Sequence, residues 1–74
     1  MTPMTPEELA KGKKAWADAF VFWKTYYHAE DNMKFWEDLV ADADKMGELH
    51  KGDEFFQKLI IECVRDIERR HKWF

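Results

Sequence analysis

The tetrapeptide Thr5-Pro6-Glu7-Glu8 constrains this chain more than any other stretch, because it is a near-complete helix start and everything after it divides into three amphipathic segments. Thr5 supplies an N-cap hydroxyl, Pro6 suits the first helical position because its missing N–H would have no partner there, and Glu8 completes a capping box. The expected architecture is all-α, a three-helix bundle with helices over 6–28, 33–50 and 54–72. It forms a single domain over 1–74, with 1–5 as an unstructured lead-in.

The spacing of apolar residues predicts the inner faces. In the first helix Leu9, Trp16, Phe20, Trp23 and Tyr27 recur at intervals of three, four and seven and are expected to face the core. Ala19 and the small Gly12 lie beside them, and Lys11, Lys14, Asp18 and Thr25 fall on the wet side. The pattern breaks at His28-Ala29-Glu30-Asp31-Asn32, where Asp31 or Asn32 is suited to cap the next helix. Trp36, Leu39, Val40, Ala43 and Met46, with His50, make the inner stripe of that second helix. Gly52 is placed to end it in the left-handed region. Asp53 then caps a third helix whose inner stripe is Phe56, Leu59, Ile60, Cys63, Val64 and Ile67, with cations gathered in the last turns where the dipole favours them. Short connections imply antiparallel packing of consecutive helices.

Size and composition exclude several classes of function. A chain of 74 residues has little volume beyond its own core, and three short helices offer few convergent positions for a catalytic cleft, so the expectation is not an enzyme. An apolar content of 46% argues for a folded chain, while 36% charged residues argue against a membrane protein. The start Met1-Thr2-Pro3-Met4 lacks the features of a signal peptide, which makes a cytoplasmic location the default. Cys63 is the only cysteine, so neither an intrachain disulfide nor a multi-thiolate metal site can form, and its place on an inner stripe makes it packing rather than nucleophile. His28 with Glu30 and Asp31, and Glu48 with His50, lack the spacing of helical metal ligands. No cofactor motif is present, so no cofactor is expected.

What remains is surface. Val21, Phe22 and Tyr26 on the first helix, Ile61 on the third and Trp73 and Phe74 at the end fall off the inner stripes, as do Phe35 and Phe55. One small bundle cannot bury them all. Val21, Phe22, Tyr26, Ile61, Trp73 and Phe74 are therefore the expected interface, with a second copy of the chain or a larger protein as partner. Arg65, Arg69, Arg70 and Lys72 beside Trp73 and Phe74 offer an alternative, phosphate contact with a ring stacking on a base. A third reading takes Glu37, Asp38, Asp42, Asp44 and Glu48 as a row of carboxylates imitating nucleic acid toward a basic partner, although Lys34 and Lys45 lie within neutralising reach. The net charge of −3 gives no global attraction to nucleic acid or anionic membrane.

The run Asn32-Met33-Lys34-Phe35-Trp36-Glu37-Asp38-Leu39-Val40, followed by Phe55-Phe56-Gln57-Lys58-Leu59-Ile60 and Ile67-Glu68-Arg69-Arg70, resembles short helical proteins of phages and mobile elements of Gram-positive bacteria. The likeness spans the last two helices and transfers no catalytic or ligand residue. It implies a setting in which small proteins act by binding larger ones, host defence or replication machinery among them.

Overall fold

A computed structural model describes residues 2–71 as three helices, α1 (Pro6–Thr25), α2 (Met33–Leu49) and α3 (Glu54–His71). No strand occurs among the described residues, and the fold is the expected all-α three-helix bundle. Thr2 to Thr5 carry no secondary structure. Lys72, Trp73 and Phe74 lie outside the described residues, and with them the end of the predicted third helix and part of the expected interface. No described helix is long and apolar enough to cross a membrane.

The helix starts follow from local chemistry. Thr5 Oγ1 accepts from the Glu8 amide at 3.2 Å while Glu8 Oε1 accepts from the Thr5 amide at 2.8 Å, which satisfies two of the donors left over at a helix start. Asn32, not Asp31, caps α2 by accepting from the Phe35 amide at 2.8 Å. Asp53 Oδ1 accepts from the Phe56 amide at 3.2 Å at the start of α3, and Gly52 takes φ of 85° just before it, the left-handed turn the sequence predicts.

Helix α1 stops at Thr25, short of the predicted 28. The Thr25 hydroxyl donates to the Val21 carbonyl at 2.6 Å, a back-bond that competes with the helical ladder, and Tyr26 leaves helical geometry at φ −106° and ψ 18°. Tyr26 then meets α2, with its ring edge-on to Phe35 at 5.6 Å. About two turns earlier on α1, Asp18 meets His50 at the end of α2, so α2 runs antiparallel to α1. Pairings of Ala19 with Cys63 and of Trp23 with Asp66 ascend together, and α3 therefore runs parallel to α1.

The core comprises Ala15, Ala19 and Phe22 of α1, Tyr26 just beyond it, Phe35 and Leu39 of α2, and Phe56, Ile60 and Ile67 of α3. Its α1 contribution corrects the sequence expectation. Trp16 and Phe20, expected inside, are 59% and 56% exposed, and Leu9 and Tyr27 are exposed as well. The buried stripe is turned by about 100°, one residue along the helix. Two alanines at its centre let α3 approach closely, whereas the bulky stripe would hold it off and would also bury Lys13, which sits four residues after Leu9 and three before Trp16. The same kind of exchange occurs on α2, where Phe35 is buried and Val40 is exposed.

Two polar ties lock α1 to α2. The Tyr26 hydroxyl donates to the Asp42 carboxylate and lies 3.1 Å from the Asp38 carbonyl. Burial, and then the Asp42 carboxylate, push its pKa well above the ordinary phenol value, so it stays a donor. The second tie corrects Asp18, expected on the wet side. It lies 2.7 Å from His50 Nε2, and the buried His50 ring stacks on Phe56 with centroids 3.7 Å apart.

Candidate functional site

Turning α1 by one residue places its bulky stripe on the surface beside α3. Trp16, Phe20 and Trp23 from α1 and Leu59 and Cys63 from α3 line an open groove of about 330 Å³, with Ala19 at its floor and Glu62, Asp66 and Arg69 along its α3 rim. Trp16 packs edge-on against Phe55 at 5.5 Å, which extends the apolar surface toward the start of α3. Phe20 forms a ridge along the α1 side, and the Lys24 ammonium lies 5.7 Å from its ring centroid.

The far end of the groove is tied together around Asp66. The Trp23 indole N–H donates to Asp66 Oδ2 at 2.9 Å, and Arg70 Nε donates to the same oxygen at 3.0 Å. The indole bond first, and the Arg70 guanidinium second, hold the Asp66 carboxyl below its ordinary range. Arg70 also donates to the Tyr27 carbonyl and stacks on the Tyr27 ring at 3.7 Å. Burial pushes the Cys63 thiol above its ordinary pKa, assisted by the Asp66 and Glu62 carboxylates. The groove is thus lined mainly by apolar side chains, with a carboxylate held ionised by its partners at its rim. Among the described residues no group of three or more histidine, cysteine, aspartate or glutamate side chains is placed to hold a metal ion.

Among the described residues the predicted interface does not form one surface. Phe22 and Tyr26 are core residues, 2% and 8% exposed, which corrects their assignment to a contact surface. Val21 and Ile61 are exposed, but Ile61 lines a different groove, between α2 and α3, with Ala43, Ile60 and Val64. Trp73 and Phe74 fall outside the described residues. The cations proposed for nucleic acid are engaged at home: Arg65 pairs with Glu62 at 3.3 Å, Arg69 with Asp66 at 3.7 Å and Arg70 with Asp66 at 2.9 Å, while Lys72 is outside the described residues. On the acidic α2, Asp38 pairs with Lys34 at 3.1 Å and Asp42 is taken by Tyr26.

Sequence reasoning assigned Trp16 and Phe20 to the core and so missed the largest exposed rings of α1. The signal that identifies them is Lys13, a cation inside the bulky stripe, set against a neighbouring stripe whose middle is Ala15 and Ala19. Comparison of the chain with protein-family models, with curated proteins and with solved structures gives no match.

Proposed function

We propose that the chain is a non-enzymatic interaction module that associates with copies of itself through the aromatic face of α1 and α3. The observation that carries this reading is the exposure of Trp16 and Phe20 on a helix whose alanines face the core. Aromatic residues are the side chains most enriched at the centres of protein interfaces, and a contiguous set of them on a small domain calls for a cover. Leu9, Tyr27 and Phe55 extend the same face. Pairing of Arg65, Arg69 and Arg70 within the chain leaves the nucleic-acid reading with less free charge to work with. The resemblance to small phage and mobile-element proteins adds a setting in which the assembled module acts on a larger host protein.

Sedimentation velocity over a wide concentration range tests the proposal. The wild-type chain is expected to shift from monomer toward a larger species as concentration rises, and Phe20→Glu is expected to remain monomeric with unchanged helical circular dichroism. A wild-type chain that sediments as a monomer at every concentration refutes it.

A further inference from the structure

We infer that the α1–α3 groove receives Phe20 of a second copy, so that two chains related by a two-fold axis each seat one ring in the other's groove. The inference rests on the self-association proposed above and specifies its geometry. Ridge and groove lie side by side on one face, since Phe20 lines the groove and is itself 56% exposed. That adjacency is what an isologous contact needs, because the same patch must supply the knob and the hole.

The area agrees. Trp16, Phe20, Tyr27 and Phe55 are each between 37% and 59% exposed. At about 150–250 Å² per aromatic side chain they leave on the order of 400 Å² of apolar surface open. One side of a standard interface covers about 800 Å², of which somewhat more than half is apolar. The whole chain exposes 5885 Å². A folded monomer of its 9.0 kDa exposes about 4,900 Å². The exposed Thr2–Thr5 lead-in supplies part of that surplus.

Cys63 in the groove wall reports occupancy directly. Alkylation of Cys63 by the neutral reagent N-ethylmaleimide is expected to be roughly tenfold slower above the association midpoint than below it, because reactivity follows access. Phe20→Ala is expected to abolish the difference. Equal rates in both states, in a chain that sedimentation shows to associate, overturn groove occupancy and leave self-association standing; a chain that never associates overturns both.

Discussion

Phe20 and Phe22 stand two residues apart on α1 and do opposite work. Phe22 fills the core beside Ala15 and Ala19 with its ring 5.3 Å from that of Tyr26, whereas Phe20 is more than half exposed. Phe22→Ala is expected to cost about 3–5 kcal/mol, the range for emptying a buried aromatic site. Phe20→Ala is expected to cost under about 1 kcal/mol, as surface changes do. Urea denaturation at a concentration low enough to keep the chain monomeric checks both, and the reverse order would return the bulky stripe to the core. Asp18 offers a second residue-scale test. Its hydrogen bond to His50 is the largest influence on its carboxyl, exceeding the opposing effect of burial, and holds the folded-state pKa below the ordinary value. A carboxyl depressed on folding contributes stability that is present above its unfolded pKa of about 3.9 and disappears as pH falls through the lower folded value. Asp18→Ala should therefore lower stability at neutral pH and flatten the stability profile at and below about pH 4. An unaltered acid limb in the variant would show that the His50 contact does not discriminate between the carboxylate and its acid.

At the scale of the helix, the starts were legible in the sequence, the end of α1 was not, and the inward faces were only partly so. Thr5, Asn32 and Asp53 act on amides three residues downstream, so their roles can be read without knowledge of the fold. Thr5→Ala is expected to cost about 1 kcal/mol by thermal denaturation. The glycines separate in the same local way. Gly52 occupies φ of 85°, so Gly52→Ala is destabilising, while Gly12 lies inside α1, where an added methyl meets only the Met4 terminus at 3.7 Å. Gly12→Ala is thus expected to stabilise by about 0.5–1 kcal/mol. Opposite signs in the two melting curves are the expected result, and a loss in Gly12→Ala would mean that α1 is packed more tightly there than the structure shows. The inward face of α3 was legible because a single stripe is apolar, with Phe56, Ile60 and Ile67 buried as expected. On α1 two stripes compete, one bulky and one small, and periodicity alone cannot rank them. The decision belongs to the neighbouring helix, which packs most closely on alanine. The groove was illegible for the same reason, since it exists only because α3 settles against Ala19 and leaves Trp16 and Phe20 outside.

The molecule as a whole is a rod, 46 × 23 × 17 Å, with a radius of gyration of 14.0 Å. A compact chain of this length would have a radius of about 11 Å. The longest helix, α1, spans about 30 Å, so the lead-in before it contributes to the long dimension, and three single helices side by side keep the core thin: among the described residues nine apolar side chains are buried while Trp16, Phe20 and Phe55 stay outside. A thin core gives modest intrinsic stability, so covering the aromatic face adds a large fraction to it. Association that favours the folded chain raises its stability by mass action, which makes the melting temperature depend on concentration. For a dimer well above its dissociation constant each tenfold rise in concentration adds roughly 0.7 kcal/mol per chain, or on the order of 3–5 °C in Tm for a domain of this size. The wild-type Tm is accordingly expected to climb with concentration in calorimetry, whereas Phe20→Glu is expected to melt at one temperature throughout, near the dilute wild-type value. A variant that keeps the wild-type slope would detach the concentration dependence from the α1–α3 face and move the search to the α2–α3 groove beside Ile61.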